Sequence, residues 1–363
     1  MATEKRTELQ WLRALAASEV VICHSDLATK HFAEFRLANT WWADQLGGIG
    51  VELFFIVSGY VICMKAPEAR SGAAFLLSRV RRLFPMYWVF TSLAVITYVL
   101  NPAWRLNNFE ISLLSFFQSY LILPQQGFPI LGVGWTLEHE MMFYGFVALA
   151  MTIWHMEGRA RFAVGWMLTC LGFIGCFQGP EPGQSLLAYH IFSPFMLAFG
   201  FGWLLRCTEE MKLRGRVYSV AVFAAVIAAG YMVGTDFSNR LVIRISLATA
   251  IFTGFILCRR AFEADSKLNR AGWMMGDASF SIYLSHWFVL SVIGKLLSVL
   301  QPPAATAGLV RGLSIMLSIA IGVWIFAVME RPIDRWLRRG GALADIPWPR
   351  LPSISWRDIS RRF

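Results

Sequence analysis

"LRALAASEVVICHS", residues 12–25, is the stretch whose reading decides the fold. It is apolar enough to begin a membrane helix, yet it carries Arg13, Glu19 and His24. Such side chains are costly in hydrocarbon unless they face a protein interior, a partner or a water-filled cavity. Eleven residues separate Arg13 from His24, which is three helical turns, so both project from one face about 16 Å apart along the axis. Glu19 lies about 140° around the helix from His24. It is expected to pair with an in-span cation such as Arg244, Lys295 or Arg311 rather than to react. The bland alternatives are an Arg13 that snorkels to the near interface and a purely structural His24.

The rest of the chain extends that reading. Of its 363 residues 56% are hydrophobic and only 15% charged, well below the roughly 25% charge of a soluble domain. Several apolar runs reach the roughly 20 residues that span a bilayer. The expectation is an all-α, polytopic membrane bundle with no separate soluble domain. The stretch 12–25 is then a retained first span, because Arg13, Ser18 and Glu19 interrupt it and no small-residue cleavage site follows. The six cysteines, scattered through apolar runs, have neither disulfide-framework nor zinc spacing and read as small buried apolar residues.

Hydropathy places ten spans, at 9–27, 46–64, 84–101, 135–156, 159–178, 184–206, 216–234, 240–262, 278–299 and 305–329. "SGAAFLLSRVRRLFP", 71–85, reads as a separate amphipathic helix lying on the membrane surface. Residues 1–335 form the membrane domain and 336–363 a basic tail. Placing the N-terminus in the cytoplasm puts 26 of the 33 lysines and arginines on the inner side. Only Lys30, Arg36, Arg105 and Arg240 fall outside, so both termini are expected in the cytoplasm of a bacterial inner membrane. The net charge of +10 follows from this bias. Because it is spread over many short loops, it excludes a nucleic-acid interface.

Polar residues enter the other spans at two depths. Glu52, in "GGIGVELFFIVSGYVI", and Glu140, in "GVGWTLEHEMMFY", both enter from the outer side near the level of His24. Glu140 and Tyr144 share a face at i, i+4, while Glu138 points the opposite way. In "GDASFSIYLSHWF", Ser279, Tyr283 and His286 share a face at i, i+4, i+7. Arg79, Arg81 and Arg82 lie on the inner side. The pattern suggests a site with two mouths. Inner arginines suit a phosphate-bearing donor, and a deeper histidine with carboxylates suits proton transfer at a hydroxyl. The alternatives are that the arginines are ordinary interfacial anchors and that His286 is a core histidine on a backbone carbonyl. Neither "Glu138-His139-Glu140" nor "His24-Ser25-Asp26" has the geometry of a zinc helix or a triad, and no metal is expected.

These residues together resemble acyltransferase family 3, the polytopic bacterial membrane O-acyltransferases, from Leu9 to about Arg335. Arg13 and His24 match the family's first motif, a basic residue, ten intervening residues and then histidine. "GGIGVELFFIVSGYVI" is similar to the second-span signature, with Glu52 at its acidic position, and "RVRRLFPMYW" to the arginine-rich loop. "WTLEHEMMFY" carries Glu140 five residues after Trp135, "GDASFSIYLSHW" ends in His286, and "ERPIDR" resembles the exit of the last span. The wording is most similar to the branch that acetylates exopolysaccharides such as succinoglycan. The chain departs from the pattern at Ser18-Glu19 and at Glu138.

The resemblance implies acyl transfer, usually of acetyl, from cytoplasmic acyl-CoA to a hydroxyl of a glycan or lipid-linked saccharide at the outer face. No permanently bound cofactor is implied, and acetyl-CoA is a substrate. His24 is then the general base, or an acyl relay. Glu140 orients it, and Arg13 stabilises the charge stripe or the donor. Arg79, Arg81 and Arg82 grip the CoA phosphates, and Glu52, Tyr144, Ser279, Tyr283 and His286 line the substrate path. The rival classes are a transporter or flippase and a non-catalytic partner in polysaccharide assembly. Inverted repeats, which mark many transporters, are not evident.

Overall fold

A computed structural model describes residues 6–30, 48–102, 112–125, 127–178, 186–209, 211, 236–262 and 266–339. The span expected at 216–234 and the tail from 340 lie outside these residues. Every described element is helical. Helix α1 covers Thr7–Cys23 and passes into a 3-10 turn, His24–Ala28. There follow α2 (Ile49–Lys65), α3 (Gly72–Leu100), α4 (Leu113–Leu121), α5 (Trp135–Ile153) and α6 (Gly158–Gln178). Then come α7 (Leu186–His190), α8 (Phe195–Glu209), α9 (Asp236–Leu257), α10 (Lys267–Asp277) and α11 (Ser279–Leu300). Last come α12 (Ala307–Ile325), a π-helical turn (Phe326–Glu330) and α13 (Arg331–Arg338).

Six of the described helical segments are long and apolar enough to cross a membrane: Ile49–Glu68, Gly72–Leu100, Gly158–Phe177, Arg240–Leu257, Ser279–Leu300 and Ala304–Arg338. Large apolar side chains stay exposed along them, among them Leu309, Leu313, Met316 and Trp324 of α12. In water such a surface would be an aggregation hazard. On a helix of a membrane protein it is the lipid-facing side.

Two expectations about the elements are corrected. The surface helix expected at 71–85 and the span expected at 84–101 are one continuous 29-residue helix, α3. Ser71 caps it by accepting a hydrogen bond from the Ala74 amide at 3.1 Å. Pro85 removes only one backbone N–H, and the buried side chains that follow it, Met86, Tyr87 and Phe90, hold the next turns against the bundle. The basic end of α3 is thereby fixed to the core. The expected span 184–206 is two helices, α7 and α8, because Pro194 cannot donate across the junction. The cysteine expectation holds for Cys63, Cys176 and Cys207, whereas Cys23, Cys170 and Cys258 are exposed.

Helix α2 is the axis of the bundle, with α1, α8 and α9 against it. Its contact with α8 requires glycine. A Cβ on Gly59 would lie 2.1 Å from the Phe199 carbonyl oxygen, and one on Gly202 would lie 1.9 Å from that of Ile56. Helices in lipid gain no hydrophobic driving force from meeting, so close backbone approach supplies the packing energy. On the other side α11 and α12 close over α1 and the 3-10 turn.

Candidate active site

The face of α1 that carries Arg13 opens onto a cavity of about 840 Å³ bounded by α1, α2, α3, α5, α11 and α13. One end is basic, lined by Lys65 of α2 and by Arg79, Arg81 and Arg82 of α3. The arginines Arg331, Arg335 and Arg338 of α13, a helix that packs beside α3, line it too. Arg82 is not free there. It forms an ion pair at 2.7 Å with Glu330, a carboxylate only 2% exposed that also accepts a hydrogen bond from Ser281 Oγ at 2.5 Å. The π-helical turn ends at Glu330, which lies 2% exposed beneath the cleft. Such insertions recur at functional sites.

Deeper in the cavity stands Glu140. Its Oε1 accepts hydrogen bonds from Ser58 Oγ at 3.0 Å and from the Tyr144 hydroxyl at 2.5 Å. The second bond realises the i, i+4 spacing on α5. Ser58 is six residues along α2 from Glu52, so Glu140 and Glu52 lie at levels about 9 Å apart along the helix axis. Ser279 also lines the cavity, fully buried, and its Oγ has no hydrogen-bond partner among the described residues. Arg13 has no ion pair or hydrogen bond among the described residues, and the carboxylates whose charge reaches it are Glu330, Asp277 and Glu140. The lining reaches Thr136 and Tyr283. The Tyr283 hydroxyl donates to the Val133 carbonyl at 2.7 Å and lies 2.7 Å from Thr136 Oγ1.

One turn further along α11 is His286, and it meets His24. His286 Nε2 lies 3.3 Å from His24 Nδ1. His286 Nδ1 lies 2.6 Å from the Tyr283 carbonyl oxygen, and His24 Nδ1 lies 2.9 Å from that of Val20. Carbonyl oxygens only accept. A neutral His286 therefore carries its proton on Nδ1 and presents a lone pair at Nε2. The His24 proton then sits on Nδ1, shared between Val20 and His286, and His24 Nε2 keeps its lone pair. The indole of Trp287 closes the other side, with ring centroids 4.9 Å apart in an edge-on arrangement. The turn that holds His24 is fixed from α12, because Arg311 Nε donates to Ser25 Oγ at 2.6 Å.

The sequence-derived residues thus fall into groups. Arg13, Arg79, Arg81, Arg82, Glu140, Tyr144, Ser279 and Tyr283 share the cavity. His24 and His286 form a pair beside its Tyr283 end. Glu52 is buried at the start of α2, apart from the residues that line the cavity, and the charge that reaches it is that of Arg244. No ion pair joins Glu19 to Arg244, Lys295 or Arg311 among the described residues. Neither Glu138 nor Glu140 hydrogen-bonds His24; the partners at Nδ1 are the Val20 carbonyl and His286. Glu138 belongs to a separate buried cluster, accepting from Gln125 Nε2 at 2.8 Å and lying 2.9 Å from His190 Nε2. His190 and Gln125 carry no distinguishing spacing in the sequence, and Glu330 stands out only as the first residue of "ERPIDR". Only the docking of their segments gives them partners.

Several known proteins are similar to this chain in sequence. The exopolysaccharide production protein ExoZ of Rhizobium meliloti (strain 1021) is 27% identical over 82% of this chain and 92% of its own length. The acyltransferase MdmB of Streptomyces mycarofaciens is 25% identical over 94% of both chains. An O-acetyl transferase of Shigella phage Sf6 is 25% identical over 57% of this chain and 66% of its own. No solved structure is a significant match. The family model described as an acyltransferase domain matches residues 6–328, and the chain therefore belongs to acyltransferase family 3, as an all-helical membrane protein.

Proposed function

We propose that this membrane acyltransferase moves an acetyl group from cytoplasmic acyl-CoA to a hydroxyl of an exported or lipid-linked glycan, with His24 as general base. The observation that carries the proposal is the His286–His24 pair, which fixes the His24 proton on Nδ1 and leaves Nε2 able to take one from a substrate hydroxyl. The basic cavity mouth suits the donor's phosphates, and the depth of the cavity suits a long, thin acyl-bearing arm. The relatives named as O-acetyl transferase and exopolysaccharide production protein support the acyl group and the acceptor class. Positive charge concentrated in alternate loops supports ten spans, cytoplasmic termini and a bacterial inner membrane.

In the proposed reaction His24 Nε2 removes the acceptor hydroxyl proton as the oxygen attacks the thioester carbonyl. The tetrahedral intermediate collapses, the carbon–sulfur bond breaks, and the CoA sulfur takes up the proton from His24. An acyl ester and free CoA thiol result. In the variant order of steps Nε2 itself attacks the thioester carbonyl and CoA leaves as its thiolate; the hydroxyl then takes the acyl group from Nε2 and its proton goes to the CoA sulfur. Glu140, Tyr144 and Ser279 orient the arm of the donor. Arg13 offsets negative charge along the path.

The test is transfer of labelled acetyl from acetyl-CoA to a glycan fraction by purified protein in nanodiscs. Wild type transfers label and His24→Gln does not. Full activity in His24→Gln would end the mechanism. A protein that neither binds nor consumes acyl-CoA would favour a transporter or an assembly partner.

A further inference from the structure

The cavity mouth has two walls, and the pairing of its cations divides them by task. On α3, Arg82 is neutralised by Glu330. Arg81 has no ion pair or hydrogen bond among the described residues, and Arg79 donates only to Ser78 Oγ, at 3.1 Å, with its guanidinium 5.6 Å from the Phe75 ring centroid. On α13, Arg338 is held by Asp334 at 2.8 Å. Arg331 and Arg335 have no ion pair or hydrogen bond among the described residues, although both line the cavity.

Helix geometry explains how α13 presents them. Arg331 and Arg335 stand at i, i+4 and share a face. The opposite side carries Ile333 and Leu337, both buried, which dock the helix. Pro332 stands in its first turn, directly after the π-helical turn. The Arg82–Glu330 ion pair then ties the start of α13 to the basic end of α3. Two rows of unpaired guanidinium groups thus face one cleft, an arrangement that repels itself until a polyanion enters. Arginine forks match phosphate oxygens two at a time.

We infer that α13 is the second wall of the donor site: Arg331 and Arg335, with Arg79 and Arg81 of α3, bind the phosphates of a nucleotide donor, while Arg82 clasps the two walls together through Glu330. The inference rests on the acyl-CoA reading above. The class of ligand is a nucleotide with several phosphates and a long, thin arm. Ser58, which holds Glu140, is seven residues from Lys65 along α2, so the arm must reach about 10 Å beyond the mouth. Lipid headgroups offer the same phosphate chemistry and are the rival source.

The experiment measures binding of labelled CoA to the full chain in nanodiscs of zwitterionic lipid. Four proteins are compared: wild type, Arg331→Gln/Arg335→Gln, Arg82→Gln and Arg339→Gln. Arg339 is exposed and does not line the cavity, so it controls for bulk charge. The double variant is expected to bind CoA at least about tenfold more weakly with an unchanged unfolding temperature. Arg82→Gln is expected to lower the unfolding temperature as well, because it strands buried Glu330. If the double variant binds as wild type does, α13 faces lipid phosphates only and the inference falls while the donor reading stands. Equal weakening in Arg339→Gln also overturns it, as a bulk-charge effect. If wild type binds no CoA, the donor reading fails and takes the inference with it.

Discussion

His286 Nε2 stands 3.3 Å from His24 Nδ1, while its own Nδ1 is held 2.6 Å from the Tyr283 carbonyl oxygen. The Tyr283 carbonyl dictates the proton position on His286, and the Val20 carbonyl and His286 Nε2 together hold it on His24 Nδ1. His286→Ala is expected to lower kcat by about 10² or more, with the KM for acyl-CoA little changed. His286→Gln, whose side-chain oxygen also accepts, should recover part of that loss. Steady-state kinetics of the two variants decides this. Equal loss in both would show that the ring only fills space.

The two carboxylates on α5 should separate cleanly. Glu138 is 1% exposed and joined to His190 and Gln125. Glu138→Ala leaves His190 and Gln125 without their acceptor and is expected to cost about 3–5 kcal/mol of stability, seen as a lower unfolding temperature in detergent. Glu140→Gln should fold normally, because Gln can still accept from Ser58 and Tyr144. Its transfer rate should fall at least about tenfold, as the charge-assisted bonds are lost.

The Tyr283 hydroxyl joins Thr136 and Val133 between the lined cavity and the histidine pair. Tyr283→Phe removes the shorter of two bonds to the Val133 carbonyl, which keeps the one from Thr136 Oγ1 at 3.2 Å, at a cost of about 0.5–1.5 kcal/mol. With that layer loosened, water reaches the thioester more readily. Hydrolysis of acetyl-CoA without acceptor should therefore rise relative to transfer, measured by free-thiol release.

Gly59 meets the Phe199 carbonyl so closely that any Cβ would sit 2.1 Å from it. Gly59→Val forces α2 and α8 apart and is expected to destabilise the protein by about 1–3 kcal/mol or more. Because α2 carries Ser58, transfer activity should fall with the unfolding temperature. Gly145, whose Cβ would meet nothing within 4 Å, is the tolerant control.

Glu140 and Tyr144 show how far sequence spacing reaches. Their i, i+4 separation placed them on one face, and they do share a hydrogen bond. Arg79 to Arg82 show where it stops. Three arginines looked equivalent in the sequence, yet one is tied to Glu330, 248 positions away along the chain, and the other two are not. The continuity of α3 is hidden in the sequence for a related reason. Pro85 and a change in polarity look like a break, and only the packing of Met86, Tyr87 and Phe90 carries the helix through.

The sequence by itself determined the class of molecule: apolar runs long enough for a bilayer, a membrane helix with Arg13 and His24 on one side, and the ordered motifs of a family. Those properties are local, set by hydropathy and by 3.6 residues per turn. Tertiary structure alone decided that His24 pairs with His286 across 262 positions and that Glu138 is held in a cluster of its own. It also decided that the arginines of α13 line the same cavity as those of α3. These outcomes depend on the rotation and depth at which whole helices pack. Backbone approaches such as Gly59 on Phe199 set that packing, and no single stretch of sequence encodes it.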